Sequence, residues 1–145
     1  MAGYPGAKAA DEYLAQRIEA ASPEQLVAIL LEGGQKYLTL VLAAINSNDV
    51  AGKARHSNRV LDFILELKLR VNREEGGELA KNLIRIYDSW AEELSMAAIA
   101  NETARLEHMR GHMGELRATW EDLHRKKNVS AAPAAIRASL DEMVG

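Results

Sequence analysis

Histidine and carboxylate side chains recur on one predicted helix in the C-terminal third of the chain. His108, His112 and Glu115 lie at positions i, i+4 and i+7, which places them on one helix face and would suit a two-histidine, one-carboxylate metal site. That face flanks the apolar seam of the helix toward solvent, and no pattern around it supplies supporting ligands. We interpret it as a solvated face and expect no metal and no cofactor. His56 has no evident partner and is expected at the surface.

The other candidates for catalysis are equally sparse. Glu121 and His124 form one Glu-x-x-His motif, whereas a di-iron helical bundle needs two such motifs and two further inward glutamates. Glu74, Glu75 and Glu78 fall in a predicted turn, where they more simply balance the positive end of a helix. No Ser-His-Asp set, phosphate-binding loop or nucleotide fingerprint occurs. The chain is therefore not expected to be an enzyme.

Composition narrows the class of protein. The chain has 145 residues, a 48% hydrophobic fraction, one Phe, three Pro and a formal net charge of -3. Such a composition favours a globular helical protein and gives no support to a nucleic-acid surface. Cysteine is absent, which excludes disulfides and thiolate metal sites. We see no signal peptide, and polar residues interrupt each apolar stretch. A cytoplasmic protein without membrane insertion is expected.

Hydrophobic periodicity predicts an all-α fold. Ser22, Pro23 and Gln25 form a helix start signal, with Ser22 as the N-cap of a capping box. Helices are predicted over 8–20, 23–47 and 50–72, then from Leu79 to about Asn101 and around Leu106 to Leu123. The second long helix should bury Val50, Ser57, Val60, Leu61, Ile64, Leu67 and Val71. The last should bury Leu106, Met109, Met113, Leu116, Trp120 and Leu123, and the third is centred on Trp90.

Short connections between long helices favour an antiparallel up-down-up-down four-helix bundle. The predicted organisation is an N-terminal segment over residues 1–20, flexible at first and then a short helix, the bundle over 21–127, and a linker with a short amphipathic segment over 128–145.

Two helices carry more apolar surface than a bundle core needs. The apolar arc of the first long helix spans about 220°, against roughly 100° for a simple core stripe. We expect the surplus side chains to point outward and to bind a client protein, with two mid-helix glycines allowing close approach of its backbone. A thick core covered by the chain's own tails remains an open alternative. The candidate client-binding residues are Leu31, Gly33, Gly34, Leu38, Leu42, Leu65 and Leu69.

The ends of the chain offer two amphipathic segments that could cover such a groove. The N-terminal one presents Tyr13, Leu14 and Ile18, and the C-terminal one presents Ile136 and Leu140, followed by Met143 and Val144. We favour the N-terminal segment as the lid because it adjoins the helix with the widest apolar arc.

Five stretches of the sequence resemble motifs of the flagellar secretion chaperones. Residues 21–26 (ASPEQL) are similar to the family's Ala-Ser-Pro-x-x-Leu, and residues 30–34 (LLEGG) to its Leu-Tyr-x-Gly-Ala. Residues 62–67 (DFILEL) resemble Asp-Ile-Ile-x-Glu-Leu. Residues 75–88 (EGGELAKNLIRIYD) resemble Glu-Gly-Gly-x-Ile/Leu-Ala-x-Asn-Leu followed by Leu-Tyr-Asp, and residues 116–120 (LRATW) match Leu-Arg-x-Thr-Trp. Leu31 replaces the family's Tyr, and no family motif follows residue 128.

The resemblance implies a cytosolic chaperone that binds the C-terminal helical segment of flagellin. Such a protein prevents premature polymerisation and delivers its client to the flagellar export apparatus, with the export gate as a possible further partner. The alternative function is a self-associating structural bundle or adaptor without a flagellin client. A homodimer is compatible with either.

Overall fold

The computed structural model describes residues 5–126, together with Leu140 and Met143. These residues form an all-α structure without a strand, as predicted. Five helices follow one another within 5–126: α1 (Pro5–Ala20), α2 (Pro23–Asn46), α3 (Val50–Leu69), α4 (Gly77–Ile99) and α5 (Thr103–Arg125). Against the predicted bounds, α1 begins three residues earlier and α3 ends three residues earlier.

The start of α2 has the predicted capping box. Ser22 Oγ accepts a hydrogen bond from the Gln25 backbone N–H at 3.2 Å, and the Ser22 N–H donates to Gln25 Oε1 at 2.9 Å. Pro23 occupies the first turn, where its missing N–H has no intrahelical partner to lose. This short sequence therefore fixes where α1 ends and α2 begins.

Tight turns follow α2 and α4. Asn48 and Asn101 adopt positive φ values of 56° and 55° just after α2 and α4, a conformation that asparagine tolerates better than most residues. Asp49 then caps α3 by accepting a hydrogen bond from the Gly52 N–H at 2.9 Å. Each of these connections turns the chain back on itself within a few residues.

Helix α2 is the centre of the packing. It packs extensively against both α3 and α5 and touches α1, while α4 packs against α3 and α5. Lys53 Nζ donates to Asn101 Oδ1 at 2.8 Å near one end of the α3–α4 pair, and Lys68 Nζ lies 2.7 Å from Asp88 Oδ1 toward the other. These two contacts show that α3 and α4 run antiparallel.

The core confirms most of the predicted inward positions on α3, α4 and α5. Trp90 is buried, and so are Leu106, Met109, Met113 and Leu116 of α5. Trp120 and Leu123 are only partly buried. Val50 was expected inside but is exposed, because it occupies the first position of α3. The α2 side chains in the main core cluster are Leu30, Leu31, Leu38, Val41 and Leu42.

Three of those α2 residues show that one prediction from the sequence was wrong. Leu31, Leu38 and Leu42 were predicted to point outward, yet they are buried within the core. The reason is that α2 has α3 on one side and α5 on another, so an apolar arc of this width is consumed by two neighbouring helices. The surplus on α2 is therefore core rather than a free groove.

The same helix is long and apolar enough to cross a membrane by length and composition. The sequence had been expected to contain no membrane span because polar residues interrupt each apolar stretch. However, α2 contacts α3 and α5 along its length, and a central core helix passes the same test of hydropathy. The central position of α2 in the core explains why its residues are so apolar.

Candidate functional site

Several large apolar side chains of α3 and α4 are exposed. Leu65 and Leu69 on α3 expose 47% and 77% of their surface, and Ile99 on α4 exposes 80%. The first two were predicted to point outward and do so. Exposed aliphatic side chains on these two helices make their outer surfaces candidates for a partner.

A groove of about 350 Å³ lies between the two helices at the Ile99 end. Its apolar floor includes the half-buried Leu61 and the buried Leu94. We call it the α3–α4 groove; its lining is Lys53, Ala54, Ser57, Asn58, Leu61, Leu94, Ser95, Ala98 and Ile99.

Small side chains create the α3–α4 groove. Ala54 and Ser57 on α3 face Ser95 and Ala98 on α4, so the helices present a trough where larger residues would have filled the seam. Ser57 Oγ is buried and has no hydrogen-bond partner within the described residues. An apolar helix face laid into this trough would contact leucine and alanine, with Lys53 and Asn58 at its polar edge.

A second apolar cleft, of about 180 Å³, opens near the other end of α3 and α4. It is lined mainly by Leu67, Val71, Leu79 and Leu83, with Trp120 of α5 at one side. The indole N–H of Trp120 is buried and has no acceptor among the described residues. On α3 the groove and this cleft are lined by different residues, Leu61 being the last in the α3–α4 groove and Leu67 the first in the cleft.

A third cleft has a different character. Its volume is about 580 Å³, and it lies where the α1–α2 junction meets α5. Arg17 pairs with Glu32 at 3.1 Å, and Arg117 Nε lies 2.9 Å from Glu121. Because these paired charges line the cleft, it fits an apolar helix less well than the α3–α4 groove does.

His124, considered in the sequence for a Glu-x-x-His motif, has a structural role. Its Nδ1 lies 3.0 Å from Ser22 Oγ, so it ties the end of α5 to the N-cap of α2. Ser22 and His124 are 102 residues apart in the sequence, and no local pattern predicts a contact over that distance.

The remaining three histidines lie on α3 and α5. The rings of His108 and His112 have centroids 4.2 Å apart on the outer part of α5, and the described residues contain no group of three or more potential metal ligands. His56 was expected at the surface but is half-buried, with its ring centroid 6.2 Å from that of Tyr37.

Burial raises the pKa of the Tyr87 hydroxyl and keeps it neutral.

The two glycines proposed to admit a client's backbone are already covered. A β-carbon on Gly33 would collide with the Phe63 ring of α3, and one on Gly34 would lie 3.0 Å from Met113 Sδ of α5. Both glycines therefore serve close packing within the chain. With Leu31, Leu38 and Leu42 in the core, Leu65 and Leu69 are the predicted client residues that remain on the surface.

The candidate lid residues also differ in how far they are buried. Tyr13 exposes 63% of its surface, Ile18 is half-buried, and Leu14 packs against the core. Leu140 is fully buried within the core cluster, whereas Ile136 lies outside the described residues. Among the candidate lid residues that the structure describes, Leu140 is therefore the most deeply buried.

Comparison with known proteins places this helical architecture in a family. The family profile described as "Flagellar protein FliS" matches residues 6–127. The chain belongs to the FliS family. A flagellar secretion chaperone FliS of Vibrio cholerae is 27% identical over 121 residues, which cover 83% of this chain and 89% of that protein.

Two further relatives are similar to this chain to a comparable degree. The flagellar secretion chaperone FliS of Salmonella typhimurium is 28% identical over 110 residues, covering 75% of this chain and 82% of that protein. The flagellar secretion chaperone FliSB of Pseudomonas aeruginosa is 28% identical over 120 residues, covering 80% and 95%. The FliS match includes α1 and ends at residue 127, after α5. The resemblance found in the sequence is confirmed, and the FliS assignment is to a chaperone rather than to an enzyme class.

Proposed function

We propose that this FliS-family chain binds the C-terminal helical segment of flagellin and keeps it from polymerising before export. The single observation that carries the proposal is the α3–α4 groove of small and aliphatic residues, which the exposed Ile99 lines, together with the exposed Leu65 and Leu69 on α3. An amphipathic client helix would bury its apolar face there.

We further propose that α2 to α5 form an up-down-up-down four-helix bundle. Support comes from the pairwise packing, in which α2 contacts α3, α3 contacts α4, α4 contacts α5 and α5 contacts α2. A bundle of this kind is rigid enough to present one preformed face, which lowers the ordering cost that falls on the chaperone during binding. The client bears the larger cost because it folds as it binds.

The cytosol is the proposed location, and the flagellar export apparatus is the proposed destination of the complex. Support comes from the family, whose relatives carry the name flagellar secretion chaperone. Because a segment that folds on binding forfeits ordering entropy, its contact with the chaperone must be long and apolar. The α3–α4 groove and the exposed Leu65 and Leu69 supply apolar surface for such a contact.

The competing function is self-association without a flagellin client. The same exposed leucines would suit a second copy of the chain, so the two functions must be separated by experiment. We propose mixing the full chain with flagellin monomers under polymerising conditions and following filament growth by light scattering. A chaperone suppresses growth at about one chain per flagellin. Unimpeded growth, together with concentration-dependent dimerisation of the chain in sedimentation, would favour the structural function instead.

A further inference from the structure

Two lysines of α3 reach across to acceptors on the α4 side of the molecule. Lys53 Nζ donates to Asn101 Oδ1 at 2.8 Å, just after the end of α4. Lys68 Nζ lies 2.7 Å from Asp88 Oδ1. From residue 53 to residue 68 the helix rises about 22 Å. The two contacts therefore mark two well-separated points along one seam between α3 and α4.

Helical spacing places the second contact in line with the α3–α4 groove. Lys68 lies seven residues after Leu61, and Asp88 lies seven residues before Ser95. Residues seven apart share one face of a helix, and Leu61 and Ser95 both line the groove. The Lys68–Asp88 pair therefore crosses the same seam beyond the groove, whereas Lys53 lines the groove itself.

The charges of the two lysines differ in how they are balanced. Lys68 has the carboxylate of Asp88 beside it, so its charge is neutralised locally. The acceptor of Lys53 is the side-chain amide of Asn101, which is neutral. Within the described part of the chain, no ion pair includes Lys53.

The carboxylates near this contact have other partners. One helical turn before Lys53, Asp49 accepts a hydrogen bond from the Gly52 N–H at 2.9 Å. Glu102, the residue before α5, pairs with Arg105 at 3.2 Å. The α3–α4 groove thus has, at the edge of an apolar floor, one ammonium group whose charge no carboxylate balances.

We propose that Lys53 binds a carboxylate of the client. When the apolar face of the client helix lies in the α3–α4 groove, an Asp or Glu at the edge of that face replaces Asn101 Oδ1 as the acceptor of Lys53 Nζ. The exchange turns a hydrogen bond to a neutral amide into one between two charged groups, which is shorter and stronger. The inference rests on the proposed function and names the chemistry of the client helix: an apolar stripe with an acidic residue three or four positions from it.

Such a contact would give the groove a selectivity that its apolar floor lacks. Leucine and alanine side chains accept any amphipathic helix of suitable shape, and they accept it in more than one register. A charge pair at one place fixes the register, because a shift of the client by one helical turn separates the two charges by a further 5 Å or so, about one helical pitch. Lys53 is then a specificity-determining residue of the client site.

The first test compares Lys53→Gln with Arg55→Gln by calorimetry of the full chain against the flagellin C-terminal segment. Both variants remove one positive charge from α3, but Arg55 is exposed and lies outside the lining of the groove. Glutamine can still donate to Asn101, so both variants should melt like wild type. At low salt we expect Lys53→Gln to bind about fivefold more weakly and Arg55→Gln to stay within about twofold of wild type. Wild-type affinity in Lys53→Gln would overturn the inference.

Salt separates a charge contact from a packing effect in the same titrations. Raising the salt concentration from about 10 mM to about 1 M shortens the Debye length from about 30 Å to about 3 Å. The difference between wild type and Lys53→Gln should then fall below about twofold. A difference that is equally large at both salt concentrations would also overturn the inference, because the side chain would then act through its packing.

The second test identifies the carboxylate. Each Asp and Glu of the flagellin segment is replaced in turn by its amide, and each peptide is titrated into wild type and Lys53→Gln. One replacement should weaken binding to wild type about fivefold and leave binding to Lys53→Gln unchanged, because both changes remove the same contact. If every replacement affects the two proteins equally, the inference fails although the proposed function stands. Absence of binding by wild type would instead reject the proposed function, and the role of Lys53 with it.

Discussion

The ring of Phe63 occupies the space that a β-carbon on Gly33 would fill. At this point α3 comes close to the middle of α2, and the buried Phe63 ring stacks on Tyr37 with a centroid separation of 5.8 Å. The Arg59 guanidinium lies over both rings, 5.1 Å from the Tyr37 centroid and 5.3 Å from that of Phe63. A mid-helix glycine costs about 1 kcal/mol relative to alanine, and close aromatic packing offsets that cost.

Gly33→Ala should therefore destabilise the protein despite the better helix propensity of alanine. The added methyl group forces the Phe63 ring out of its position, and overpacking of this kind costs about 1–3 kcal/mol. Gly111→Ala is the matched control, because a β-carbon there meets nothing within 4 Å. It should leave stability unchanged or raise it by up to about 1 kcal/mol. Thermal melts followed by circular dichroism measure both; equal melting temperatures for the two variants would show that the Phe63 contact is unimportant.

The two tryptophans should respond differently to truncation. Trp90 is almost fully buried, so Trp90→Ala should cost about 3–5 kcal/mol in the free energy of unfolding. Trp120 is only partly buried, so Trp120→Ala should cost less. Because the Trp120 N–H is buried without an acceptor, Trp120→Phe should stay within about 1 kcal/mol of wild type. Urea unfolding gives the values, and a larger loss for Trp120→Ala than for Trp90→Ala would contradict this ranking.

Changing His108 and His112 together to Gln should alter neither stability nor client binding. The two rings face the outer part of α5, away from the α3–α4 groove. Melting temperature and calorimetric affinity are the measurements, each repeated with zinc and with a chelator. A zinc-dependent rise in melting temperature that is present in wild type and lost in the variant would reveal a functional metal site.

Leu38 and Leu65 were proposed from the sequence for the same role, and the structure separates them. Leu38 is fully buried, so Leu38→Asp should abolish cooperative unfolding by placing an unpaired charge in the core. Leu65 is half exposed and should accept a charge with little loss of stability. Circular dichroism melts distinguish the two results; a stably folded Leu38→Asp variant would mean that α2 is less enclosed than described.

Local signals in the sequence predicted the helices well. The Ser22 and Gln25 capping box and the three-and-four spacing of α5 are decided by neighbours within a few residues. Such features depend on backbone hydrogen bonding and on one helix face, both of which the sequence displays directly. The all-α fold followed from them.

The client surface was harder to predict because two structures give the same pattern. A helix with an apolar groove and a helix enclosed by two neighbours both show a wide apolar arc, and Leu31 and Leu65 could not be distinguished on that basis. The number of neighbouring helices decides between them. The small residues of the α3–α4 groove, such as Ala54 and Ala98, were overlooked because small side chains carry little signal in hydrophobic periodicity.

The chain ends show the same limit. Tyr13 and Leu140 both belong to short amphipathic segments, and proximity in sequence favoured the first as a lid. Leu140 is enclosed in the core, whereas Tyr13 is largely exposed. Which of two such segments docks depends on tertiary shape that neither segment encodes by itself.

The central claim is that the surface shared by α3 and α4 binds the client, and one set of titrations tests it most directly. Affinity of the full chain for the flagellin C-terminal segment is measured by calorimetry for wild type, Leu65→Glu, Ile99→Glu and the control Ala118→Glu. Each altered residue is exposed, so all four proteins should melt within a few degrees of one another. We expect Leu65→Glu and Ile99→Glu each to weaken binding at least tenfold and the control to match wild type. Wild-type affinity in both Leu65→Glu and Ile99→Glu would contradict the claim and place the client elsewhere on the protein.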